Sequence, residues 1–253
     1  LRRMGKYDLA EKIYHRLLAE LPSNDPSLSN LYWDLGIVTH DKANYDSSLE
    51  WFQKSLVIQE QKGSSNYRDI GNLYNWIGEN YRRKCELERA LENYNKAIEL
   101  FRNANDQDHP NMAWFYNNIG LVYDDQKKYT EALDFYKKSL AIYQQHLPSN
   151  HPNIASSNNN IGLVYYNLNK YALAVEHYQQ SLQIRLKSLP GDHPNIAMSY
   201  RNIALIHEKK REWKEALELF EKALNIYQHV FSSQRPNVLD VKEDIQRVSA
   251  YLK

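Results

Sequence analysis

Apolar residues return along this chain at intervals of three and four. Phe115, Ile119 and Val122 form one such stripe, and Leu133, Tyr136, Leu140 and Tyr143 form another. That spacing gathers each set on one side of an α-helix and leaves the other side polar. Pro110, just ahead of the first stripe, suits the opening turn of a helix, where its missing N–H is not needed. The stretch from Asp124 to Tyr129 has the length of a connection between antiparallel helices.

The two-helix unit repeats. Aligned on the small residue of the first helix, the chain reads Gly36, Gly78, Gly120, Gly162 and Ala204, at steps of 42 residues. The position before it holds Leu35, Ile77, Ile119, Ile161 and Ile203. Second-helix columns follow in register. Nine residues on stand Tyr45, Leu87, Tyr129, Tyr171 and Trp213, and twelve on stand Ser48, Ala90, Ala132, Ala174 and Ala216. Sixteen on stand Phe52, Tyr94, Tyr136, Tyr178 and Phe220. A further small column runs Ser55, Ala97, Ser139, Ser181, Ala223. Prolines recur at Pro26, Pro110, Pro152, Pro194 and Pro236, with one repeat skipped. Small residues let helix axes approach toward the lower end of the ~8–10 Å range, and the aromatic column fills the adjoining space. One unit cannot cover both faces of its helices, so neighbours must stack.

The ends break the period. Tyr7, Ala10, Tyr14 and Leu17 match a second helix, so residues 1–22 read as an incomplete first repeat. Its partner helix is expected before residue 1, which leaves an apolar side of this helix uncovered. Residues 26–231 read as five full repeats and residues 236–253 as a capping helix, all within one domain. In that last helix Ile245 keeps the isoleucine column, but Gln246 replaces the small residue.

These columns resemble the tetratricopeptide repeat, whose usual unit is about 34 residues. Here each unit is longer, and its start recurs as "HPNMA" at His109 and "HPNIA" at His151 and His193. That variant is similar to the repeats of kinesin light chains. The resemblance implies an all-α, right-handed α-solenoid whose first helices line a concave groove. The two residues before the isoleucine column then form a candidate ladder. One row is Trp33, Asn75, Asn117, Asn159, Arg201, and the other is Asp34, Trp76, Asn118, Asn160, Asn202.

A carboxamide both donates and accepts, so it can pair with the backbone of an extended peptide. The family's peptide-binding asparagines match at Asn118, Asn160 and Asn202, while Asp34 and Trp76 depart from the pattern. At the helix end nearby, Arg82 and Arg83 can engage an acidic ligand group. Asp124 and Asp125 hold the matching places one repeat on, which makes the groove charge mixed. The asparagines have two further readings. They are a solvated polar face, or they bond between successive first helices and set the superhelical pitch.

Composition narrows the function classes. The formal net charge is +1, which gives no electrostatic support to nucleic-acid or membrane-surface binding. With 42% hydrophobic residues and only 8 Gly and 8 Pro, the chain is neither disordered nor collagen-like. Cys85 is the single cysteine, so no internal disulfide forms. The start lacks a secretory apolar core, and no run reaches the ~18 apolar residues of a membrane span. These features lead to an expectation of a cytoplasmic protein.

No hydrolase, P-loop, zincin or dinucleotide pattern is present. The three His-Pro pairs are one repeat apart, so they cannot share an ion whose bonds are about 2.0–2.1 Å. A role in starting each helix is the better reading.

The expected function is therefore a non-catalytic scaffold for protein–protein interaction, without metal or cofactor. A partner peptide or helix docks in the groove, against the amides and Trp33, Trp76 and Trp114. The expected partner is a protein or peptide, with no nucleic acid and no membrane insertion. The alternative is a regulatory or targeting segment of a larger enzyme whose catalytic domain lies upstream. By analogy with other repeat arrays, that domain is for example an ADP-ribosyltransferase.

Overall fold

The computed structural model describes residues 7–63, 66–231 and 235–252. The first six residues of the expected incomplete repeat, and Lys253 of the expected cap, lie outside them. Among the described residues there are twelve α-helices and no strand. The chain divides into two compact units, residues 1–125 and 126–253.

The first unit holds α1 (Tyr7–Glu20), α2 (Leu28–Asp41), α3 (Tyr45–Gln61), α4 (Tyr67–Arg83), α5 (Leu87–Asn103) and α6 (Pro110–Asp125). Helices adjacent in sequence pack on one another, with α2 against α3 and α4 against α5 as the main pairs. The repeat columns meet where expected. Phe52 and Tyr94, both fully buried, press on Gly36 and Gly78. A Cβ at either glycine would lie 2.6–2.7 Å from the ring, closer than side chains approach. Ser48 takes the small column of α3 and donates to the Gly36 carbonyl at 2.7 Å. On α1 only Ala10 is buried, and Leu9, Ile13 and Leu17 make an exposed stripe at i, i+4 and i+8.

The second unit holds α7 (Tyr129–His146), α8 (Pro152–Asn167), α9 (Tyr171–Ser188), α10 (Pro194–Lys209), α11 (Trp213–Val230) and α12 (Pro236–Ser249). The pairs α8/α9 and α10/α11 repeat the same packing. Tyr178 lies on Gly162, and Phe220 shares a core with Ala204. Val238, Val241 and Val248 of α12 complete that core, while Gln246 is exposed.

The first-to-second helix connection uses one device throughout. Ala43, Cys85, Lys127, Asn169 and Arg211, each seven residues after the small position, have φ between 57° and 62°. Ala43, Cys85, Asn169 and Arg211 close their helices in the Schellman manner. Asn44 N–H reaches Thr39 O while Ala43 N–H reaches His40 O, and the same pair recurs around Cys85, Asn169 and Arg211. The left-handed region costs an L-residue roughly 1–2 kcal/mol. Cys85→Gly and Arg211→Gly should therefore each raise stability by about 1 kcal/mol. Thermal melting is the check, and a lower melting temperature in both would contradict the assignment.

The His-Pro pairs start helices. His109, His151 and His193 each accept the backbone N–H two residues on at Nδ1, at 3.1 Å. The imidazole thus serves as an N-cap acceptor, and proline follows it at N1. Among the described residues, no group of three or more His, Cys, Asp or Glu could hold a metal. His151→Ala should cost about 1 kcal/mol, and His151→Asn should restore most of it in chemical denaturation. Equal losses for both would argue against the cap.

Candidate functional site

Adjacent first helices meet along the two columns before the isoleucine. Within residues 1–125, Asn75 of α4 and Asn118 of α6 are 0% and 5% exposed. Asn118 Nδ2 donates to Asn75 Oδ1 at 2.9 Å. Within residues 126–253 the same rung joins Asn202 of α10 to Asn159 of α8, at 3.1 Å. The next rung is ionic, with Arg201 Nε on Asp244 Oδ2 of α12 at 2.7 Å. In every case the partners are 43 residues apart. The first column of one repeat thus meets the second column of the next.

This placement corrects one expectation. Asn75, Asn118 and Asn159 are buried between helices, so their amides are not presented as an open row. The physical reason is that each rung's partner on the neighbouring first helix covers the amide it bonds. Asn117 and Asn160 are half-buried, as is Asn202.

The aromatic members behave differently. Trp33 and Trp76 are both half-buried and both pack on Phe52, edge-on at 5.8 Å and stacked at 5.9 Å. Trp76 meets the half-buried Trp114 edge-on at 5.5 Å. In the first unit the first helices therefore offer partly exposed indoles backed by core. Asp34 is exposed beside them.

Arg82 and Arg83 are already engaged. Arg82 binds Glu79 through Nε and Nη2, each at 2.9 Å, and reaches Asp125 of α6 with Nη1 at 2.9 Å. Arg83 binds the same Glu79 at 3.0 Å. Burial alone would raise the Glu79 carboxyl, but the Arg82 hydrogen bonds and the two guanidinium charges hold it below its ordinary value. This cluster ties α4 to α6, which makes it a poorer receiver of an acidic ligand than the sequence suggested. One carboxyl nearby moves the other way, since burial and the neighbouring Asp125 charge raise Asp124.

Sequence reasoning passed over a polar substitution in an aromatic column. Fourteen residues into each second helix stand Gln59, Phe101, Tyr143, Arg185 and Tyr227, all buried. Gln59 donates to Ser29 Oγ at 2.9 Å. Arg185 binds Asn195 O at 2.9 Å and Ser199 Oγ at 2.7 Å. Burial brings the Arg185 guanidinium down to about 10. The departure from aromatic character was the available signal.

A cleft of about 1060 Å³ opens in the second unit along α9, lined among others by Gln144, Asn158, Gln180, Ile203 and His207. None of the ladder positions lines it.

The family model of the tetratricopeptide repeat matches residues 69–145 and 153–229. No curated protein matches by sequence. Among solved structures, the fold is similar to BtubC (BKLC) from P. vanneervenii, with TM-score 0.72, 16% identity, and 92% of this chain and 94% of that one covered. A kinesin light chain-like protein of nearly identical repeats from Podosopora anserina has TM-score 0.66 and 20% identity, covering 83% of this chain and 100% of that one. A signal-transduction ATPase of Pyrococcus horikoshii with a tetratricopeptide repeat sensor has TM-score 0.71 and 17% identity. It covers 95% of this chain, which spans only 34% of that one. At these identities the likeness shows the fold alone.

Proposed function

Because the chain belongs to the tetratricopeptide repeat family, we propose that it is a non-catalytic scaffold that holds a partner peptide against its first helices. In this proposal residues 26–231 act as five repeats of one array, 236–253 cap it, and the protein works in the cytoplasm. The observation that carries the reading is the row of half-buried indoles at Trp33, Trp76 and Trp114. Large apolar rings held rigid by core contacts, on a face otherwise lined by amides, give binding area at low entropic cost. The hydrogen-bonded rungs beside them keep the spacing of that face fixed. Asn117, Asn160 and Asn202, all half-buried, complete the proposed face, and Asn202 is also bonded to Asn159.

The test is selection of peptides from a random library against the intact chain, followed by hydrogen exchange on the complexes. Protection on α2, α4, α6, α8 and α10 supports the proposal. Protection confined to the α9 cleft, or no enrichment at all, overturns it.

One observation favours a second reading. The chain matches only a third of the P. horikoshii ATPase, where the repeats are described as a sensor. A sensor or targeting segment joined to a catalytic domain is the corresponding proposal here. Sequencing the complete open reading frame decides it.

A further inference from the structure

The cleft of about 1060 Å³ in the second unit wraps over one helix. Six of its lining residues belong to α9, and at about 100° per residue they span an arc of roughly 200°. The arc runs from Ile184 across Glu176 and Gln183 to Leu182. On the Ile184 side, His177 bonds Asn158 of α8 at 2.9 Å. On the Leu182 side, Arg185 bonds Asn195 and Ser199 of α10. α9 is therefore a ridge between two troughs. Leu147, Ile154 and Ile184 line one, and Leu182, Ile203 and Leu219 line the other. Both troughs are aliphatic, and the crest of Glu176, Gln179 and Gln183 is polar and exposed.

We infer that this surface receives an amphipathic helix of a partner protein, laid across α9. Its aliphatic anchors stand at positions i and i+7, with a lysine or arginine between them at i+3 or i+4.

The spacing selects a helix. Troughs on either side of one helix lie about a helix diameter apart, ~10 Å. Seven residues of α-helix rise about 10.5 Å and return to the same face, so one side chain enters each trough. An extended chain covers that distance in about three residues, but its side chains at i and i+3 point to opposite faces. Burial of aliphatic groups in both troughs supplies the affinity.

The charge of the crest selects the middle of that helix. No lysine or arginine lines the cleft. Among the described residues Glu176 takes one hydrogen bond, from Gln180 at 3.4 Å, and no ion pair. His207 is bonded to Glu212 at 2.6 Å, and Asn158 is spent on His177 and the Ile154 carbonyl. Gln179 and Gln183 are neutral amides that accept and donate. A cation over the crest thus meets an unpaired carboxylate, whereas an acidic helix meets repulsion with no cation in the cleft to offset it.

The test is selection on the intact chain from a library that randomises one surface of a pre-formed helical scaffold. Leu, Ile, Val or Met should be enriched at two positions seven apart, about threefold or more over the unselected library, with Lys or Arg at i+3 or i+4. Leu147→Glu and Leu219→Glu each place a charge in one trough and should each cut capture about tenfold or more. Circular dichroism establishes that they fold; if either does not, Glu176→Lys decides, since it changes an exposed side chain. That variant should keep the aliphatic pair and exchange the basic preference for Asp or Glu. Trp33→Leu, in the first unit, should leave capture intact.

A pool without the seven-residue spacing overturns this inference, as does a basic preference that Glu176→Lys leaves in place. Capture that survives both trough variants and fails in Trp33→Leu overturns it too, and leaves the face of first helices standing. No enrichment from the helical library overturns it as well, while the proposed scaffold function is still judged by its own selection of unstructured peptides.

Discussion

Glu79→Ala is expected to lower the stability of the folded chain by about 3–5 kcal/mol, the range for breaking a buried ion pair by removing one partner. Glu79 is largely covered and takes hydrogen bonds from Arg82, Arg83 and the Tyr94 hydroxyl, the last at 3.2 Å. Alanine strands the buried Tyr94 hydroxyl and takes the Glu79 bonds from both arginines. It also loosens Arg82, whose other bond holds Asp125 of α6. Burial, with the Glu79 charge beside it, already pushes the Tyr94 hydroxyl well above its ordinary pKa, so that group stays protonated and needs its acceptor.

Glu79→Gln separates charge from shape, because it mimics the protonated acid. At neutral pH it should cost about 2 kcal/mol, the scale of hydrogen bonds to charged groups. The folded-state carboxyl lies below its ordinary value of 4.5. Its contribution is therefore fully present above that ordinary value and is lost as pH falls through the lower, folded-state value. The gap between wild type and Glu79→Gln should close in acid. Urea unfolding followed by tryptophan fluorescence at neutral and acidic pH measures both quantities. A Glu79→Ala variant as stable as wild type, or a glutamine gap unchanged with pH, would contradict this account.

The amide rungs play a different part from this cluster. Asn75–Asn118 and Asn159–Asn202 are neutral pairs at helix contacts that an apolar pair could fill. Buried polar pairs of this kind often specify register more than they add stability. Here each links positions 43 residues apart, one more than the repeat, so a slip of one residue along the helix breaks it. The last rung, Arg201–Asp244, keeps the geometry with charges. The same geometry thus accepts different chemistry, provided donor and acceptor alternate.

Much of the helical frame was legible because each helix buries the same side against the same neighbour, which stamps one column pattern on the sequence. Pro110, Pro152, Pro194 and Pro236 each begin a helix as their position suggested. The ladder was harder to read. Polarity marks Asn75 and Asn118 as unusual, but sequence does not say that a neighbouring helix covers them. Between the three readings open for the asparagines, only packing distance decides. The left-handed connections were hidden for another reason. Ala43, Cys85 and Arg211 stand where glycine is the usual marker, and hydrogen bonds on both sides hold them there despite the strain.

Gly78→Leu is expected to be the most disruptive single change in the repeat columns, costing about 3 kcal/mol through overpacking. A Cβ there would lie 2.7 Å from Tyr94 Cε1 and 3.1 Å from the Ala90 carbonyl oxygen. Neither neighbour yields readily. The carbonyl is backbone, and the Tyr94 ring is pinned at its far end by Glu79. Even Gly78→Ala should lose about 1 kcal/mol net, although alanine gains about as much in helix propensity. The same column holds Ala204 opposite Phe220 but Gly36 opposite Phe52, so the missing hydroxyl alone does not set the residue, and the Glu79 anchor bears on the Tyr94 site alone. Removing the Tyr94 anchor should therefore make room. Tyr94→Phe combined with Gly78→Ala should be less destabilising than the sum of the two single changes, by about 0.5–1 kcal/mol in a double-mutant cycle. Strict additivity would mean that the pinned hydroxyl does not hold the ring against the glycine.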